Sequence, residues 1–180
     1  MDFFFQPKGV AVIGASANQD TGGNTIIANL QKGYHGAIYP VNPRYDEING
    51  LKCYASILDV PNPVDMAIVY LDAKRVPQTM RDCARRGISG AMLQSAGFSE
   101  SGPQGAELQN EIARIAKETG IRLWGPNCMG LVDAVNRNVF STVSHAIWSA
   151  GLTPGNVSLI VQSGMLAGAF LIDIMTHGAM

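Results

Sequence analysis

A chain of 180 residues with 47% apolar and 15% charged side chains can bury a real core, which excludes a disordered polymer. Its formal net charge of −1 supplies no field to draw it to nucleic acid or an anionic membrane surface. No apolar run approaches the ~20 residues that span a bilayer, and "MDFFFQPKGV" carries Asp2 where a secretory signal has a basic region. Cys53, Cys83 and Cys128 are odd in number and have no metal-ligand spacing, so free thiols, no metal and a cytoplasmic location are expected.

In chain order, "VAVIGASANQDTGGN" opens with an apolar strand from Val10 to Ile13, halted at Gly14. A loop of small and polar residues follows, and "TIIANLQKG" then takes helical spacing. "GAIYPVNP" predicts a second strand from about Ala37 to Val41, closed by Pro40 and Pro43. "GLKCYASILDV" reads as a short edge strand and one helical turn. "VDMAIVYL", Val64 to Leu71, is apolar on both faces, as a buried parallel strand is. "VPQTMRDCARRG" predicts a helix with Pro77 in its first turn and Gly87 at its end. "ISGAMLQS" is a fourth strand. "GPQGAELQNEIARIAKETG" is an amphipathic helix with Leu108, Ile112, Ile115 and Ala116 on one face, ending at Gly120. "IRLWG" is a fifth strand. The alternation predicts an α/β chain: a Rossmann-like doubly wound parallel sheet over residues 1–126.

From 127 to 154 no period is sustained, and the stretch reads as a long irregular connection. "NVSLIVQSGMLAGAFLIDIMTHGAM" then starts strand, turn and helix again over 155–180, as the beginning of a second, flavodoxin-like α/β domain. One strand and one helix cannot complete a sheet. The expectation is therefore the front part of a longer protein, or a subunit that leans on another.

Parallel α/β sheets bind ligands beyond the carboxyl ends of their strands. The loops expected there are Gly14-Ala15-Ser16-Ala17-Asn18, Asn42-Pro43-Arg44, Asp72-Ala73-Lys74-Arg75, Ser95-Ala96-Gly97-Phe98 and Gly125-Pro126-Asn127-Cys128. The first offers backbone N–H groups and a helix start to a phosphate, although only the first glycine of the dinucleotide fingerprint is in place. Ser16 and Asn18 equally suit local capping. At the end of the second strand an NAD site wants an acidic residue for the ribose diol, and this chain has Arg44. A cation there suits a phosphorylated ribose, as in NADP or coenzyme A; a solvated surface charge is the other reading. Cys128 has no basic partner in the sequence and reads as structural rather than nucleophilic.

"PKGVAVIGAS", "GAIYPVNPR", "LQSAGFSE", "GPNCMGLVD" and "VSLIVQSGMLAGA", in this order, resemble the N-terminal coenzyme A-binding domain of the NDP-forming acyl-CoA synthetases. That family includes the ADP-forming acetate–CoA ligases and is similar to the succinyl-CoA synthetase α subunit. The resemblance implies that Gly14, Ala15, Ser16, Ala17 and Asn18 hold the 3′-phospho-ADP end of coenzyme A. It places Arg44, after Asn42 and Pro43, near the nucleotide phosphates, where many members have lysine. Leu71-Asp72-Ala73 stands where the family often has Val-Pro-Ala, so Leu71 and Ala73 are carried over across a departure. Ser95, Ala96 and Gly97 would line the pantetheine arm, with Pro126 and Asn127 near the thiol end. Ser163 and Gly164 would open a helix that receives a phosphohistidine loop.

In the resembled family a histidine of the second domain carries a phosphoryl group, and a separate nucleotide-grasp domain uses ATP or GTP with Mg. His35, His145 and His177 match no such histidine. The expectation is a chain that binds coenzyme A but makes no thioester alone, its partners being the remaining ligase domains, in cis or in another subunit. The alternatives are a non-catalytic coenzyme A-binding module, stand-alone or fused to an acetyltransferase, and an NADP-dependent oxidoreductase.

Overall fold

The computed structural model describes residues 2–177. Five parallel strands form its central sheet: β1 (Gly9–Ile13), β2 (Ala37–Val41), β5 (Met66–Val69), β6 (Gly90–Leu93) and β7 (Arg122–Trp124). Their order is β2-β1-β5-β6-β7. The chain leaves β1 toward β2 on one side and returns to β5 on the other, so the connections diverge beyond Ile13. That divergence opens a crevice in doubly wound sheets.

β1, β5 and β6 are buried along their whole length, because helices cover both faces of the sheet. On one face Ala11, Ile13, Ala67, Val69, Ala91 and Leu93 pack against helices α2 (Val76–Arg86) and α3 (Pro103–Thr119). On the other, Val10, Val12, Met66, Ile68 and Met92 meet Ile26, Ile27 and Leu30 of α1 (Gly22–Gly33). The alternation along each strand thus feeds two apolar layers. Gly87 and Gly120 end α2 and α3 in the left-handed region, with φ of 86° and 79°.

Three expectations need correction. First, the edge strand and helical turn expected from "GLKCYASILDV" are one arm of a hairpin, β3 (Glu47–Ile48) with β4 (Leu51–Lys52), followed by a 3-10 turn at Ile57–Asp59. Its turn is Asn49-Gly50, both at positive φ, the arrangement that tight hairpins favour.

Second, the stretch 127–154, expected to be irregular, contains an antiparallel hairpin of β8 (Gly130–Asp133) and β9 (Asn138–Ser141), then a short helix α4 (Ala146–Ser149). Every residue of β9 is buried, so no alternation marks it in the sequence. It lies against α1, whose buried Asn29 donates through Nδ2 to the carbonyls of Ser141 and Val143, both at 3.0 Å. The side-chain Oδ1 of Asn29 accepts the Trp148 indole N–H at 2.9 Å.

Third, among the described residues no strand forms over 155–162, the segment leading to Ser163. Helix α5 (Gly164–His177) does form, with Ser163 Oγ accepting the Leu166 N–H at 3.3 Å. Val157, Leu159, Ile160 and Val161 are extensively exposed. A strand exists only through the ladder of a neighbour, and among the described residues no partner strand lies beside this segment. Gly178, Ala179 and Met180 lie outside the described residues.

Candidate functional site

A cleft of about 830 Å³ opens at the carboxyl edge of the sheet, in the gap set by the divergence after β1. It is within the size range of small-molecule sites. The strand ends supply Gly14, Val41, Asn42, Leu71, Gln94, Ser95 and Ala96; Ser56, Asp72, Arg75 and Thr79 complete much of the wall.

Gly14 has φ +92°, and a Cβ there would stand 2.0 Å from the Tyr70 carbonyl oxygen. Only glycine lets the chain turn at this point while β5 runs alongside. Its N–H donates to Val41 O at 3.0 Å, extending the sheet by one bond. Helix α1 starts eight residues later, capped by Thr21, whose side chain accepts the Asn24 N–H. Gly23 then packs against the turn: a Cβ on it would lie 2.3 Å from Gly14 O. Gly23 thus does the close-packing work that the usual fingerprint assigns to a glycine nearer Gly14, with a longer loop between.

Ser16 and Asn18 serve that loop locally. Ser16 Oγ accepts the Asn18 N–H at 3.1 Å and Asn18 Oδ1 accepts the Asp20 N–H at 3.0 Å. Asn24 Nδ2 donates to Ser16 O at 2.8 Å, tying the loop to α1. Ala15 is fully buried. Asn42 joins two loops: its Nδ2 donates to Ala15 O at 2.7 Å and its Oδ1 accepts the Arg44 N–H at 3.0 Å. The backbone from which Arg44 projects is therefore fixed. Among the described residues no ion pair engages Arg44 or Arg75, and both line the cleft.

Ser95 is buried and its hydroxyl is committed to the scaffold, accepting the Leu71 N–H at 2.9 Å. Gly97, at φ +104°, and Phe98 both donate N–H to Glu100 Oε1, at 2.7 and 3.1 Å. Burial pushes the Glu100 carboxyl upward, but those two N–H groups, together with that of Glu100 itself, outweigh it and hold the pKa below the ordinary value. The last loop turns through a cis Gly125–Pro126 bond, and Asn127, at φ 52°, donates its N–H to Ser95 O at 3.0 Å. Burial pushes the Cys128 thiol up to about 11, opposed by backbone N–H groups, and the thiol bonds to Leu93 O at 3.4 Å. Such a thiol stays protonated near neutral pH and is a poor nucleophile.

Of the residues singled out in the sequence, the fold brings Gly14, Asn42, Pro43, Arg44, Leu71, Ser95 and Ala96 into the wall. Ala15, Ser16, Ala17, Asn18, Ala73, Gly97, Pro126 and Asn127 belong to the surrounding loops without lining it. Ser163 and Gly164 lie elsewhere, at the start of α5, where a Cβ on Gly164 would stand 2.9 Å from that of Met129. Reading loop by loop missed Ser56, Tyr70 and Gln94, and did not carry Arg75 into the site. Gln94 left one signal, a polar residue ending the apolar run "GAML".

Residues 8–134 match the CoA binding domain family. The chain belongs to that family. Among relatives of this CoA-binding chain, an ADP-forming acetate–CoA ligase II of Archaeoglobus fulgidus is 46% identical over 96% of the chain and 25% of its own length. The α subunit of ADP-forming acetate–CoA ligase II from Pyrococcus furiosus is 38% identical, over 95% of the chain and 36% of that subunit. The solved structure of a Candidatus Korarchaeum cryptofilum dinucleotide-forming acetyl-coenzyme A synthetase 1, in complex with phosphate and ADP, superposes with a TM-score of 0.87. It is 34% identical and covers 97% of this chain and 36% of its own. The chain therefore spans a quarter to just over a third of these relatives. Among the described residues no helix is long and apolar enough to cross a membrane.

Proposed function

We propose that the chain binds coenzyme A across this cleft, as the coenzyme A-binding part of an NDP-forming acyl-CoA synthetase. Such an enzyme joins a carboxylic acid to coenzyme A with ATP or GTP, releasing NDP and phosphate by way of a phosphohistidine. ATP or GTP and Mg belong to domains outside these residues, supplied in cis or by a partner subunit. Arg44 at the end of β2, held by Asn42 with no acidic neighbour in the wall of that loop, is the observation that carries the choice of ligand. A ribose diol needs an acceptor at this place, whereas a phosphorylated ribose needs a cation.

The residues fit the ligand in three ways. Gly14 lets backbone reach the open crevice; Arg44 and Arg75 put two guanidinium groups on its wall; Ala96 leaves room for a thin chain. Coenzyme A supplies the thiol that accepts the acyl group. This chain's residues bind and orient its carrier: the Arg side chains neutralise phosphate charge, and the Ser95–Leu71 and Asn127–Ser95 bonds hold the inner wall rigid. Calorimetry tests the reading. Coenzyme A is expected to bind more tightly than NADP, and NAD scarcely at all. Tighter binding of NADP would overturn it.

A further inference from the structure

The sequence holds a single asparagine followed by glycine, Asn49-Gly50, and the fold sets the pair at the tip of the β3–β4 hairpin. Both residues are exposed. The space around Gly50 is open: a Cβ built there would meet nothing within 4 Å, and among the described residues its N–H makes no hydrogen bond. Each arm of the hairpin is two residues long, with one further bond at its base, from the Cys53 N–H to Asp46 O at 2.8 Å. Ribbons this short open locally at little cost. The tip is nevertheless tied to the loop after β1. Asn49 O accepts from Gln31 Nε2 at 2.9 Å, and Asn49 Oδ1 accepts from Asn24 Nδ2 at 3.3 Å. The same buried Asn24 amide donates to Ser16 O at 2.8 Å.

We propose that Asn49 is a site of spontaneous deamidation whose product places a negative charge behind the loop after β1. The Gly50 nitrogen gives its proton to water and attacks Asn49 Cγ. A C–N bond forms, the side-chain nitrogen takes up a proton and leaves as ammonia, and a five-membered imide closes. Water then adds to one imide carbonyl and breaks its C–N bond. Opening at Cγ gives aspartate; opening at the backbone carbonyl gives isoaspartate. One water is consumed and one ammonia released. Gly50 favours the attack because no side chain crowds its nitrogen. Asn49 must leave its left-handed turn, φ 52°, for the ring to close, and the short arms let the tip open. Asn136 is the contrast: also exposed in a turn, it precedes the bulky Arg137, and its Nδ2 is held by Asp133 at 2.6 Å. Aspartate at 49 keeps the acceptor for Asn24 and adds a charge; isoaspartate lengthens the backbone of the tip by one methylene. On the coenzyme A reading, on which only this consequence rests, the loop after β1 faces the nucleotide phosphates, and a new anion behind it opposes their binding.

The wild-type chain, held in warm neutral buffer and followed by peptide mass mapping, tests the site. The Asn49 peptide is expected to gain the mass of an amide turned to an acid, and to become a substrate for enzymatic methylation of isoaspartate, while the Asn136 peptide keeps its amide. Conversion at Asn49 no faster than at Asn136 overturns the site. Asn49→Asp fixes one product and reads the consequence by calorimetry. Coenzyme A is expected to bind about threefold more weakly than to the wild type at low salt, the deficit shrinking as salt screens the added charge. Equal affinity at low salt, or a deficit that salt leaves unchanged, overturns the charge effect. Failure of the wild-type chain to bind coenzyme A overturns that reading and the consequence together, and the mass map still decides the site.

Discussion

Asn42 shows how a single side chain decides what a neighbouring charge can do. Its amide is satisfied at both ends within the site, by Ala15 O and by the Arg44 N–H. The side chain of Arg44 is thereby presented from an ordered turn, and it is free of carboxylate partners among the described residues. An exposed arginine on a fixed backbone loses little by meeting a phosphate and gains a charge-assisted hydrogen bond. Arg44→Ala is therefore expected to weaken coenzyme A binding by about 1.5–3 kcal/mol. Calorimetry with dephospho-coenzyme A locates the contact. If Arg44 meets the 3′-phosphate, the variant no longer separates the two ligands. Unchanged affinity for coenzyme A would make Arg44 an ordinary surface charge.

Helix α1 works on both sides. Its N-terminus is drawn against the Gly14 turn by Gly23, where any side chain would collide with backbone. An exposed helical glycine usually gains stability on becoming alanine; at Gly23 the close approach reverses that sign. Farther along α1, Asn29 is fully buried and makes three hydrogen bonds to the segment after β8. A buried asparagine in a helix is costly unless satisfied, and this one is satisfied only by the hairpin and Trp148. Asn29→Ala would orphan the carbonyls of Ser141 and Val143 and the indole N–H. It is expected to cost about 2–4 kcal/mol in urea unfolding. Limited proteolysis is expected to cut first within 127–154. A loss below about 0.5 kcal/mol would mean that water replaces these partners.

At the scale of the molecule, binding and chemistry are separate. His35, His145 and His177 are all exposed, and none lines the cleft. His177 hydrogen-bonds within its own helix, to Asp173 O at 2.9 Å. A phosphoryl carrier must reach both a nucleotide and the acyl group, and no histidine here stands near the proposed thiol carrier. The purified chain incubated with ATP, acetate and coenzyme A is expected to yield neither acid-labile phosphohistidine nor thioester. Adding the remaining ligase domains, fused or in trans, is expected to restore both. A thioester made by the chain alone would overturn the proposed division of labour. Coenzyme A binding with no activity under any full set of domains would favour a non-catalytic binding module.

The parallel sheet was legible from residues because its signals are local. Runs such as "VAVIG" and "GAML", punctuated by Gly14, Gly87 and Gly120, record burial on both faces and the stops between elements. From these, the strand alternation and the loops at the carboxyl edge followed, and with them Gly14, Arg44 and Ser95. The Asn49-Gly50 turn was equally local and was passed over. β9 was of another kind: its burial comes from α1, more than a hundred residues earlier, so nothing in "NVFS" alone announces a strand. The reverse holds for "VSLIV", whose composition favours a strand that no neighbour among the described residues stabilises. Tertiary structure alone decided which loops line the cleft, that the Ser95 hydroxyl is already used, and that Asn49 is tied through Asn24 to the loop after β1. A sequence records each residue's own preference for burial and turn geometry; whether a polar atom finds a partner depends on chain far away.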